Sequence, residues 1–270
     1  MKYTVVVDNI KDLNIPGEWG LCIYIENAGK KILLDTGASN LFEKNAKTLG
    51  IDLSEVDYAV LSHAHYDHAN GMERFFELNK KANFYVRESC TDNCYYKIGP
   101  IRKYIGIPRG IMERFENRII IAGGRVEITE GVYLLPHTTE NLSDIGKRER
   151  MYRRINKKWF ADDFSHEQSL VIDTDKGLVI FNSCSHGGAA NIINEVKREF
   201  PDRKVYGLIG GFHLYNKSEK EITALAEQIK ETGIRYVCTG HCSKEIGYNV
   251  LHNCLGNMLH QLKVGLTCEF

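Results

Sequence analysis

Proline is scarce in this chain, five residues in 270, and no Gly/Ser-rich linker or low-complexity tract interrupts it. With nothing to mark a boundary, one domain over residues 1–270 is expected, large enough to bury a substantial core. No sign of charge dominates either. The 35 basic residues cancel the 35 acidic ones, which gives no reason to expect a nucleic-acid or membrane partner. No apolar run approaches the roughly 18 residues of a membrane span. The opening MKYTVVVDNIKDL has too short an apolar stretch, with Asp8 and Asp12 close behind, to be a secretory signal. A cytoplasmic protein acting on a small molecule is therefore expected. Paired CxxC motifs are missing as well: Cys90 and Cys94, like Cys238 and Cys242, are spaced CxxxC, unlike a structural zinc site. The eight cysteines read as reduced thiols, with Cys22, Cys254 and Cys268 assigned to packing.

What is present is periodic. Alternation predicts strands over 3–7, 21–26, 31–34, 58–61, 125–128, 132–135, 205–209 and 236–239. Strands 169–173 and 178–181 flank the turn Thr174-Asp175-Lys176-Gly177 as a β-hairpin. Helical spacing predicts helices over 42–49, 71–81, 190–200, 219–232 and 250–262. Residues 90–115 read as aromatic, basic and irregular. Two sheets packed face to face under outer helices would bury these faces.

The chemistry concentrates in His63-Ala64-His65-Tyr66-Asp67-His68, delivered by the apolar strand 58–61. Three imidazoles and a carboxylate in six residues suit zinc, iron or manganese. On an extended loop His63 and His65 point to one side and can hold one ion. Asp67 and His68, where the chain turns toward a helix, can hold a second.

This run resembles the HxHxDH signature of the metallo-β-lactamase superfamily, and Asp35-Thr36-Gly37 is similar to that superfamily's early DTG. The segments 163–170, 182–188, 210–214 and 239–242 look like a narrower branch, similar to the ribofuranosylaminobenzene-phosphate synthases of the methanopterin pathway. The resemblance implies an α/β fold, a four-layer αββα sandwich, with two divalent metal ions at one edge, zinc before manganese or iron. It implies that His166 completes the first ion's ligands with His63 and His65, and that His241 completes the second's with Asp67 and His68. Asp35 is implied as support for those ligands. Where most of the superfamily has a bridging aspartate, this chain reads Ser183-Cys184-Ser185-His186, leaving Cys184 and His186 as even candidates. Cys184 would favour zinc.

The expected activity is metal-dependent hydrolysis, with a metal-activated hydroxide attacking a carbonyl or phosphorus. Asp67 serves as ligand rather than sole base, and His186 or His213 as proton donor. His213 is a substrate contact, a general acid or a structural residue; His137 is a weaker candidate, and His252 and His260 are placed as structural in the last helix. Basic residues crowd 147–158, and Arg102, Lys103 and Arg109 lie near Tyr95, Tyr96 and Lys97. They are either a solvated helix face or a wall for a phosphorylated or cyclic anionic substrate. A pterin-pathway synthase on the same metal site is the alternative. A non-hydrolytic binder or a di-iron redox protein is a third class, and a nuclease is disfavoured by the balanced charge.

Overall fold

The computed structural model describes residues 1–270. Alternating apolar residues pair as antiparallel strands β1 (Lys2–Val7), β2 (Cys22–Asn27) and β3 (Lys30–Leu34). Helix α1 (Leu41–Thr48) leads to β4 (Tyr58–Val60), α2 (Tyr66–Ala69), α3 (Met72–Leu78) and β5 (Asn83–Arg87). Next come β6 (Cys94–Ile98), β7 (Ile101–Tyr104), α4 (Ile111–Arg114) and β8 (Ile119–Ala122). The second half opens with β9 (Val126–Thr129), β10 (Val132–Pro136), α5 (Leu142–Glu149), β11 (Met151–Ile155) and β12 (Lys158–Ala161). The hairpin β13 (Gln168–Thr174) and β14 (Gly177–Phe181) follows, then α6 (Ala189–Glu199), β15 (Val205–Gly210) and α7 (Glu219–Glu231). The chain closes with β16 (Tyr236–Thr239), α8 (Lys244–Leu255), β17 (Leu259–Gln261) and β18 (Thr267–Glu269).

Two seven-stranded sheets result, ordered β18-β1-β2-β3-β4-β5-β8 and β17-β16-β15-β14-β13-β10-β9. Alternation sends Val5, Ile23, Ile25 and Leu34 of the first sheet against Leu134, Leu170, Ile172 and Phe181 of the second, in one buried central cluster. Their neighbours along the strands face outward. Val6, Tyr24 and Leu33 pack beneath Phe42, Met72, Phe75 and Phe76 of α1 and α3. On the far side Val171, Ile180 and Leu208 meet Ile192, Ile193, Ile222 and Leu251 of α6, α7 and α8. The layers are therefore helix, sheet, sheet, helix, and each fully buried aliphatic or aromatic side chain contributes about 1.5–3 kcal/mol. No helix is long and apolar enough to cross a membrane.

Three expectations need correction. Residues 90–115 are not irregular: β6 and β7 form a hairpin, and with β11 and β12 they make a separate four-stranded sheet, β12-β11-β6-β7. Basic segment 147–158 is accordingly not one helix face, because α5 ends at Glu149 and the chain becomes β11. The last helix ends at Leu255, since Gly256 takes a left-handed φ of 56° that other residues resist. His252 stays on α8, but His260 lies on β17, its ring stacked on Tyr236 at 4.5 Å.

A candidate metal centre at the edge of the sandwich

Strands β14, β15 and β16 run parallel, so their carboxyl ends open at one edge, beside the carboxyl end of β4. The connections leaving those ends carry the chemistry: Ser62 to His68, Asn182 to His186, Gly211 to His213, and Gly240 to Cys242. Non-glycine residues hold left-handed backbone here at Asp35, Phe164, Ser185, His213 and His241. Such conformations cost energy and cluster where side chains must be aimed.

Asp35 organises the centre. One carboxylate oxygen, Oδ1, accepts the Ser62 N–H at 2.7 Å. The other, Oδ2, takes Ser62 Oγ at 2.7 Å, Ser183 Oγ at 2.6 Å and His68 Nδ1 at 2.8 Å. The tautomers follow. His68 donates from Nδ1, which leaves its Nε2 a lone pair. The Ser62 hydroxyl spends its proton on Asp35, so it accepts from His63 Nδ1 at 2.9 Å, and His63 Nε2 is a lone pair too. Asn9 Oδ1 accepts from His241 Nδ1 at 2.9 Å while Asn9 Nδ2 donates to the His241 carbonyl at 2.8 Å. His241 Nε2 is a third lone pair. Carbonyl and carboxylate support of this kind sets which nitrogen a metal meets.

These donors fall into two groups. His63, His65 and His186 place one nitrogen each within 4.8 Å of one another. His63 Nε2, His65 Nε2 and both nitrogens of His186 are buried without any partner. Unpartnered buried imidazoles are costly unless a cation meets them. His186 is aimed by its ring, stacked on Phe164 at 4.2 Å, and by Glu167, which accepts the N–H groups of His186 and Gly187 at 3.1 and 3.2 Å.

Asp67, His68 and His241 form the second group. His68 Nε2 and His241 Nε2 face each other at 3.2 Å, and Asp67 Oδ2 is 3.6 Å from each. Cys184 Sγ lies 3.5 Å from His68 Nε2. Around a tetrahedral zinc, two nitrogen donors are about 3.3 Å apart and a nitrogen–sulfur pair about 3.6 Å. The residues therefore fit a divalent ion in each group. Both candidates from 184–186 join the centre: His186 stands with His63 and His65, and Cys184 with His63 and His68.

Burial pushes His63, His65, His186 and His241 well below the ordinary imidazole value, so they are neutral, as ligands must be. His68 moves the other way: burial lowers it, but the Asp67 and Asp35 carboxylates raise it further. Burial raises Asp67 and the Cys184 thiol.

His166, implied as a ligand of the first ion, stands with His65, Cys94 and Asp162 in a further group of donors within 4.8 Å of one another. Its Nδ1 accepts the Ala64 N–H at 3.2 Å, and its Nε2 meets Asp162 at 3.2 Å, so both nitrogens are engaged beside the His63–His65–His186 group. His137 is buried between two carboxylates, Glu167 at 2.7 Å and Glu195 at 3.0 Å, and so braces the loop that carries His186. His213 stands over His186 at a ring distance of 4.4 Å and lines the cavity described next; burial lowers it to about 4. It is neutral, offering one N–H and one lone pair. Glu149, unnoticed in the sequence, holds the loop beyond it by accepting from Lys217 at 2.9 Å and from Asn216.

A cavity of about 360 Å³ opens onto the second group. Trp19, Tyr66, Tyr96 and Tyr215 supply aromatic faces, Lys103 and Lys244 positive charge, and His65, Asp67, Cys184, His213, His241 and Cys242 the floor. The small sheet provides one wall. Of the basic residues singled out in the sequence, only Lys103 reaches this cavity. Arg153 is instead consumed by Asp163 at 3.0 Å, Ser165 at 2.7 Å and the Ser89 carbonyl at 2.9 Å. Arg102 stacks on Trp159 and Arg109 on Tyr104, at 4.4 and 4.5 Å. Lys244, Trp19 and Tyr215 carried no sequence signal, because only the fold brings residues 19, 215 and 244 together.

The edge-sited histidine cluster on an αββα sandwich is that of a known class. The chain matches the family model of the metallo-β-lactamase superfamily over residues 18–150, the stretch containing His63 to His68. The chain is also similar to the 7,8-dihydropterin-6-methyl-4-(β-D-ribofuranosyl)-aminobenzene-5′-phosphate synthase of Methanocaldococcus jannaschii. The two are 28% identical over 234 residues, covering 82% of this chain and 79% of the relative. Among solved structures it is similar to Tm1679, a metal-dependent hydrolase of the β-lactamase superfamily. That match has a TM-score of 0.85 and 27% identity over 100% of this chain and 99% of the other. The metallo-β-lactamase fold protein YhfI of Bacillus subtilis shares the fold, at TM-score 0.61 and 11% identity, over 100% of this chain and 98% of that one.

Proposed function

We propose that the protein is a metal-dependent hydrolase holding two divalent ions, zinc by preference, and acting on a small anionic substrate with a flat ring. The observation that carries this reading is the set of neutral, buried and unpartnered imidazole nitrogens facing one another beside an aromatic and cationic cavity. His63, His65 and His186 would hold one ion; Asp67, His68 and His241, with Cys184 alongside, the other. A divalent ion there supplies Lewis acidity and a hydroxide-strength nucleophile at neutral pH.

The chain's own residues do the rest. Trp19, Tyr66, Tyr96 and Tyr215 offer faces for a ring, and Lys103 and Lys244 draw in phosphate or carboxylate. Asp67, held as a ligand, is unavailable as a free base. His213, neutral and unligated, can relay a proton, taking one up at its lone pair as its N–H gives one to the leaving group.

Metal analysis of purified protein tests the centre. Wild type should carry about two ions per chain, and His65→Ala and His241→Ala should each lose metal and activity with the fold retained. Unchanged metal content in both variants would sink the assignment. A second reading, a synthase joining a pterin-like and a phosphorylated partner, rests on the similarity to the M. jannaschii enzyme. Turnover of simple phosphodiesters or esters without a second substrate favours the hydrolase; turnover only when two substrates are supplied favours the synthase.

A further inference from the structure

Cysteines in this chain divide by surroundings. Cys22, Cys90 and Cys94 belong to the apolar cluster beneath α1 and α3, and Cys238 to the one between the sheets. Cys184 and Cys242 are buried yet belong to neither, nor to any other apolar cluster. Both line the cavity floor instead. Their sulfur atoms are 3.7 Å apart, and each donor lies within 4.8 Å of a His241 nitrogen.

That separation is informative. Two thiolates, each about 2.3 Å from one tetrahedral zinc, stand about 3.8 Å from each other. The backbone around Cys242 is also shaped for an electron-rich sulfur. His213 donates its N–H to Cys242 Sγ at 3.2 Å, the kind of main-chain donor that stabilises an anionic acceptor. Gly211 leaves room for that sulfur: a Cβ there would sit 2.5 Å from Cys242 Sγ.

Resting on the metal-centre reading above, we infer that Cys242 is a second thiolate ligand, paired with Cys184. With His241 the two form a sulfur-rich seat for a soft divalent ion, next to the Asp67 and His68 donors. Loading that seat releases one proton from each thiol to solvent. Thiolates select zinc-like ions over magnesium and manganese, so the pair would fix the metal preference of the centre.

The test is cobalt(II) loading of the full chain, read as near-ultraviolet thiolate-to-cobalt absorbance per bound ion. Because the band counts thiolates on the metal, it should fall to about half in Cys184→Ser and in Cys242→Ser and vanish in the double variant. A full band in Cys242→Ser overturns the pair. Cobalt bound by wild type with no thiolate band overturns the pair and leaves the histidine centre standing; no cobalt bound at all removes both. Wild type gives a check free of folding defects. Zinc should slow alkylation of Cys184 and Cys242 at least about tenfold while Cys254 reacts unchanged, since a ligated thiolate is not a free nucleophile. Equal alkylation of Cys242 with and without zinc refutes its ligation.

Discussion

Asp35→Asn is the substitution that tests the logic of the centre most directly. Asparagine keeps the side chain's shape and tolerates the left-handed backbone at this position, where φ is 62°. Its amide oxygen must still accept the Ser62 N–H, which cannot reverse, so the NH2 group turns toward the atoms Oδ2 now serves. The Ser62 and Ser183 hydroxyls can rotate and accept. His68 cannot donate to an N–H: it must switch its proton from Nδ1 to Nε2, which removes the lone pair facing His241. Loss of comparable support behind a metal ligand costs about 10–100-fold in affinity, or about 1.4–2.7 kcal/mol. Competition against a chromophoric chelator measures this for zinc, with a thermal melt of the metal-free protein to separate folding from binding. A zinc affinity within about twofold of wild type would refute the argument that Asp35 sets the tautomer.

Other perturbations follow from the same contacts. Arg153→Ala should lower stability by about 2 kcal/mol through its lost charged hydrogen bonds, and leave KM for anionic substrates unchanged; a raised KM with unaltered melting would contradict its structural placement. Lys103→Ala or Lys244→Ala should raise KM for anionic substrates about fivefold, about 1 kcal/mol each, with no effect on neutral ones. Burial lowers His137, but Glu167 and Glu195 outweigh it and carry it up to about 9 from 6.5. A folded value above the unfolded one stabilises fully below about pH 6.5 and is lost as pH rises through about 9. The stability gap between wild type and His137→Gln, from urea titrations, should thus shrink across that window by about 3 kcal/mol; a gap that widens would reverse the sign of the argument.

Much of this molecule is written locally. The apolar alternation of residues 3–7 and 21–34, the Thr174–Gly177 turn and the His63–His68 run each carry their structure in a few neighbouring residues. The β6–β7 hairpin was harder to see. Tyr95, Tyr96, Arg102 and Lys103 pack as aromatic and cationic pairs on a small, half-exposed sheet, so hydrophobic periodicity is weak there, and only Gly99-Pro100 marks the turn. Gly256 was a visible stop signal for α8 that the apolar spacing around it masked. The support behind the histidines was illegible for another reason. Ser183 reaches Asp35 across 148 positions and Asn9 reaches His241 across 232, and no local pattern announces such a meeting.

The small sheet has a consequence for how such a molecule can diversify. It contributes Tyr96, Ile98, Lys103 and Met151 to the cavity, yet none of the His63, His65, His68, His186 and His241 imidazoles rides on it. Part of the cavity wall is thus carried on a stretch of chain separable from the histidine-bearing edge. The hairpin wall can be rewritten residue by residue while the sandwich edge stays intact, so one reactive edge can serve unrelated substrates. Proteins alike in their architecture can then differ in what they turn over.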